Sequence, residues 1–182
     1  GHILAAVDTV LGTGEVATWS PLHWKSGHLR RTAESTLSGE TQSFTRCLKD
    51  LEWTMTPWID LVSGEPVNIE HRELVLKTVK AWAVVDCKSL YDNLLNPSLA
   101  AGEDRVTAFE LVLTRYLIEV TGSEVRRVPS ELPIAEGLTK ADGDAADALR
   151  ASLMESQCTI ADEVAMLAQR SRAKEERLAR GR

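Results

Sequence analysis

The hydrophobic pattern alternates along this chain between strand-length runs and helical stripes, and the switches mark its elements. Residues 2–7 (HILAAV) form a short apolar run of strand length, and residues 16–26 a second strand broken by Pro21. Gly12, Thr13 and Gly14 supply a turn, so the N-terminus is predicted to be a β-hairpin with an irregular return arm. From Thr36 the period lengthens. Leu37, Thr41, Phe44, Leu48 and Leu51 recur at three- and four-residue steps, as on the buried face of a helix. Trp53, Pro57 and Trp58 are predicted to end that helix and begin a connector, which turns at Gly64, Glu65 and Pro66.

Residues 82–85 are an apolar, strand-forming run, and from Ser89 onward Leu90, Leu94 and Leu95 line one face of a short helix. A loop over 97–102 leads to a second long amphipathic helix at 104–120. Val106, Phe109, Leu113, Leu117 and Val120 are its predicted core face, and Gly122 is its stop. Residues 125–128 alternate like a strand closed by Pro129, and 133–140 read as a turn entering a short helix. From Asp142 the chain is alanine-rich and then rich in Arg, Lys and Glu, which reads as one or two surface helices with a fraying end. An antiparallel hairpin followed by helix and strand alternation predicts a mixed α/β fold, a mixed sheet with helices on its faces.

Composition narrows this little. The 182 residues are 43% hydrophobic and 26% charged, as in an ordinary globular domain, and the net charge of −6 excludes a broadly basic nucleic-acid binder. Cys47, Cys87 and Cys158 are too far apart for a metal motif and read as buried thiols of a reducing, intracellular compartment, cytoplasmic or nuclear. No apolar run approaches the ~18 residues of a membrane span, and the N-terminus lacks the order of a signal peptide. The chain opens without Met, directly in a strand-like run, which reads as a fragment or an excised domain.

Three carboxylates have positions suited to chemistry, and each has a plainer reading. Asp86 ends an apolar strand, where α/β sheets place their sites, or it caps the helix that follows. Glu40 emerges at the edge of a buried helical face, or it complements the helix dipole. Glu136 begins a short helix, as a ligand or as a solvated surface group. Arg30, Arg31, Arg126 and Arg127 are candidates for tracking phosphates, or belong to solvated faces. His23, His28 and His71 have no acidic or cysteine partner at metal spacing and read as surface or loop residues, and the five tryptophans read as packing anchors.

Four stretches in order resemble the ribonuclease H domain of Copia-type retrotransposon polyproteins. They are Ser20-Pro-Leu-His-Trp-Lys-Ser26, Ser35-Thr-Leu-Ser-Gly-Glu40, Val85-Asp-Cys-Lys-Ser89, and Arg127-Val-Pro-Ser-Glu-Leu-Pro-Ile-Ala-Glu-Gly-Leu-Thr-Lys140. Glu110 stands where the family's histidine-containing helix carries an Asp. The likeness spans residues 1–140 as a ribonuclease H-like domain and leaves 141–182 as a helical extension. It implies a ribonuclease H-like fold within a reverse transcriptase polyprotein. It also implies hydrolysis of the RNA strand of RNA–DNA hybrids, with Glu40, Asp86 and Glu136 as catalytic ligands of two Mg²⁺ or Mn²⁺ ions.

The chain departs from the family in two ways. Glu136 replaces the family's Asp, and residues 1–5 register with the family's second strand, so the first strand and its Asp are absent; Asp8 then falls in the hairpin turn. The metal site is therefore expected to be weakened, and cleavage by the isolated chain negligible. Residues 3–7 and 82–85 are expected to face each other across an open slot. Two other readings stand beside this one: a non-catalytic ribonuclease H-like relic that binds or supports, and a small interaction domain docking through residues 142–182.

Overall fold

A computed structural model describes residues 1–29, 33, 35–96, 105–128, 134–140 and 142–160. The hairpin forms as the alternation predicts. β1 (His2–Val7) runs antiparallel to β2 (Ala17–Lys25), with a 3-10 turn at Thr9–Thr13 between them. The irregularity in β2 is a bulge: Leu4 pairs with His23 but Ala5 with Pro21, so Leu22 is the extra residue. A bulge beside Pro21 suits a residue with no N–H to give to a ladder.

α1 (Thr36–Ser63) is longer than its sequence suggests and contains Pro57. The Ser35 side chain accepts from Ser38 N at 3.1 Å, and Gly64 ends the helix in the left-handed region. Proline costs a helix interior about 3 kcal/mol. Here burial outweighs that cost, because Met55 and Ile59 on either side of Pro57 are core residues packed with Leu76, Ala81 and Val120. The predicted connector is instead a 3-10 turn at Ile69–His71 and a short helix α2 (Arg72–Leu76), seated by Leu76.

β3 (Ala81–Val85), α3 (Lys88–Leu95), α4 (Arg105–Thr121) and β4 (Ser123–Arg127) follow the predicted order. β4 lies parallel to β3, Ala81 opposite Ser123 and Val85 opposite Arg127. The core between α1, β3, α3 and α4 is built from Phe44, Leu48, Ala83, Val85, Leu90, Leu111 and Leu117. α4 is turned from its predicted face: Phe109 is 76% exposed, while Thr107, Glu110 and Thr114 are buried. Threonine makes that rotation possible, since the Thr45 and Thr114 hydroxyls meet at 2.7 Å in the α1–α4 contact and Thr114 also donates to Glu110 O at 2.6 Å.

A 3-10 turn (Ile134–Leu138) packs against β1 and α5 (Asp144–Glu155), and β5 (Gln157–Cys158) pairs antiparallel with Ala17 and Thr18 of β2. Trp19 is buried and donates its indole N–H to Ser152 O at 3.0 Å, which ties residues 142–160 into the fold. The two-residue strand carries no periodicity and was not legible in the sequence.

The protein is thus mixed α/β, with a small antiparallel sheet ordered β1-β2-β5 and a separate parallel pair, β3-β4. Among the described residues β1 and β3 do not pair with each other. A cavity of about 880 Å³ lies between them, lined by every residue of both strands and floored by α1. The sheets are tied at one end, where Arg126 donates to Gly12 O at 2.8 Å and the Trp82 ring covers Gly12 so closely that a Cβ there would lie 2.7 Å from it.

Candidate functional site

The three predicted carboxylates all line this cavity. Asp86 leaves β3 at its C-terminal end. It does not cap α3, whose cap position is Cys87, with no side-chain hydrogen bond. Glu40 is the fifth residue of α1, past the first turn, where the dipole of the free N–H groups has fallen off. The two lie near enough for their charges to interact. Burial raises the Glu40 carboxyl above its usual range, and the negative charge of Asp86 raises it further. Glu136, in the 3-10 turn after β4, is half-buried and ion-paired to Lys140. Asp8 is in the hairpin turn, where its carboxylate accepts from Val10 N at 3.2 Å.

Two neighbouring carboxylates, one holding its proton more readily because of burial and then the other's charge, are a donor set that a hard cation would neutralise. Glu40 and Asp86 therefore fit one such ion. A two-ion site is not completed, because among the described residues no three carboxylates bring an oxygen each within 4.8 Å. Glu110 is buried on α4, and its neighbour one turn on, Thr114, bonds to its carbonyl.

The predicted phosphate-tracking arginines divide. Arg30 and Arg31 lie outside the described residues. Arg126 is a tie and not a free cation: it bonds Glu124 at 3.0 Å and Gly12 O, and its guanidinium lies 5.9 Å from the Trp82 ring. Arg127 is half-buried on the same strand. Trp19 and Trp82 are packing anchors, whereas Trp53 and Trp24 are 73% and 64% exposed. The three cysteines are free, and burial, then the charge of Asp50, pushes the Cys47 thiol up to about 12, so it is no nucleophile.

One cluster was missed from sequence. His2 of β1, His23 of β2 and Asp50 of α1 bring one ligand atom each within 4.8 Å of one another, the one such group among the described residues. His23, read as a surface residue without a partner, has its partners through space. The hairpin register holds the signal: Leu4 pairs with His23, which sets His2 and His23 diagonally on one face.

No protein-family model, no curated protein and no solved structure matches this chain. Among the described residues no helix is long and apolar enough to cross a membrane.

The Glu40 environment predicts a pH effect. A carboxyl whose folded pKa is raised contributes stability that is full below its unfolded value, near 4.5, and is lost as pH rises through the folded value. Glu40→Gln is therefore expected to stabilise the metal-free protein modestly at pH ~7 and to leave it unchanged near pH ~4. Thermal unfolding of both proteins at the two pH values checks this.

Proposed function

We propose that this chain is a ribonuclease H-like module of a retrotransposon reverse transcriptase, engaging RNA–DNA hybrids through a metal-binding carboxylate site that is impaired for hydrolysis. The observation that carries the reading is the Glu40–Asp86 pair, from a helix face and a strand end, near enough for their charges to interact and both lining the cavity between the sheets. The sequence stretches that bring these two residues are the ones that resemble the family. Glu40 and Asp86 would hold Mg²⁺ or Mn²⁺, and the chemistry such an ion supplies when bound is activation of a water and neutralisation of charge at the leaving oxygen. Glu136, steered by Lys140, adds a third carboxylate to the cavity lining. Recognition of a hybrid rests on backbone shape and 2′-hydroxyls and not on base sequence.

A non-catalytic ribonuclease H-like module that binds a hybrid without cleaving it is the second reading. It is favoured by the Lys140 hold on Glu136 and by the lack, among the described residues, of a third carboxylate within metal reach of Glu40 and Asp86. Both readings predict preference for a hybrid. Competition binding in Mg²⁺ between an RNA–DNA hybrid and the duplex DNA of the same sequence tests them together. Preferential, salt-sensitive retention of the hybrid is the expected result, and equal or no binding of the two would overturn both. Cleavage of the RNA strand in the same mixture is expected to be negligible.

A further inference from the structure

From the convergence of His2, His23 and Asp50 we infer a second metal site, one that takes a single borderline divalent transition ion of the Zn²⁺ class and pins the hairpin to α1. It is separate from the carboxylate pair and does not depend on the proposed function. Zinc bonds imidazole nitrogen and carboxylate oxygen at roughly 2.0–2.2 Å, so ligand atoms of a tetrahedral site sit about 3.3–3.5 Å apart. Asp50 Oδ2 lies 3.0 Å from His2 Nε2 and 3.6 Å from His23 Nε2, which brackets that spacing.

By their angles these close contacts are not well-formed hydrogen bonds, although His2 and Asp50 are near enough to interact as one. His2 Nε2, His23 Nε2 and Asp50 Oδ2 are all buried with no hydrogen-bond partner, an arrangement that natural interiors rarely leave unanswered. The three atoms come together without lying along one another's bonding directions, as ligands around a common centre do. His2 itself is only 7% exposed.

The donor set selects the ion. Two imidazoles and one carboxylate suit zinc, cobalt or nickel, whereas magnesium and calcium prefer all-oxygen shells. Three protein ligands leave the fourth position to water, and half-exposed His23 marks the side from which it enters. One cation competes. Lys25 Nζ lies 3.7 Å from Asp50 Oδ2, on a side chain exposed enough to swing into solvent.

The test is Zn²⁺ binding to the untagged full chain by competition with a chromophoric chelator, with Co²⁺ as a spectroscopic stand-in. The expected result is one Zn²⁺ per chain at this site, a Co²⁺ complex with the intense visible absorption of tetrahedral coordination, and a Zn²⁺-dependent rise in Tm. His23→Asn and Asp50→Asn are each expected to weaken binding by at least about tenfold, since even groups outside the ligand shell are worth that much. Lys25→Gln, which removes the cation beside Asp50 without removing a ligand, is expected to tighten it. The Co²⁺ spectrum of the unaltered chain needs no variant to fold. A pale octahedral spectrum, no Zn²⁺ binding, or Zn²⁺ affinity and Tm response unchanged in both His23→Asn and Asp50→Asn would overturn the site. Loss of hybrid binding would not affect it.

Discussion

Leu117→Ala is expected to cost the fold about 3–5 kcal/mol, while Phe109→Ala, two turns earlier on the same helix, costs less than about 1 kcal/mol. Both residues belong to the apolar stripe read from the sequence, yet Leu117 is 4% exposed in the core with Phe44, Leu48 and Leu111, and Phe109 is 76% exposed. Removing Leu117 leaves a cavity between α1 and α4 that the buried threonines of that contact cannot collapse to fill without breaking the Thr45–Thr114 hydroxyl contact. A loss of that size is a large share of the 5–15 kcal/mol that holds a typical domain together. Urea unfolding of the two variants decides it. Equal destabilisation would mean that α4 presents the face its periodicity suggests.

The second large effect concerns the gap between the sheets. In a ladder, successive residues direct their N–H groups to opposite sides. Asp8 N donates to Thr18 O at 3.0 Å, so by alternation His2, Leu4 and Ala6 address β2, and Ile3, Ala5 and Val7 address the cavity. Val128 N donates to Val85 O at 2.8 Å, which likewise turns Trp82 and Val84 toward the cavity from the other side. Hydrogen exchange should therefore split by parity, with the ladder-facing amides slower by orders of magnitude than the cavity-facing ones. Protection of both sets would show that β1 and β3 are already paired on both sides, and the two-sheet description would fail.

Much of the fold was legible because long elements carry their period. The hairpin, β3, α4 and β4 were read from runs and stripes that burial enforces, and the bulge was foreshadowed by Pro21. What escaped was decided at a distance. Pro57 is a local stop signal, overridden by the burial of Met55 and Ile59 against residues from α2, β3 and α4. The rotation of α4 is set by threonine hydroxyls, which hydrophobicity does not register. Of the site, Asp86 and Glu40 were legible as a strand end and a helix edge, and in the structure their charges are near enough to interact. Arg126 stood as a candidate phosphate contact or a solvated charge because a sequence does not show Gly12 O, the atom that occupies it. The His2, His23 and Asp50 group is contributed by three elements, two of them joined only through a hairpin register with a bulge in it. No spacing rule along the chain points to such a set.

The claim on which the functional account turns is that Glu40 and Asp86 together form a divalent-cation site. Paramagnetic line broadening by Mn²⁺, followed amide by amide in the isotopically labelled chain, tests this most directly. The predicted result is broadening centred on the turn of α1 around Glu40 and on the Asp86–Lys88 segment, abolished at both places by Asp86→Asn alone. Broadening confined to the surroundings of His2, His23 and Asp50, or persisting at Glu40 in Asp86→Asn, would contradict it.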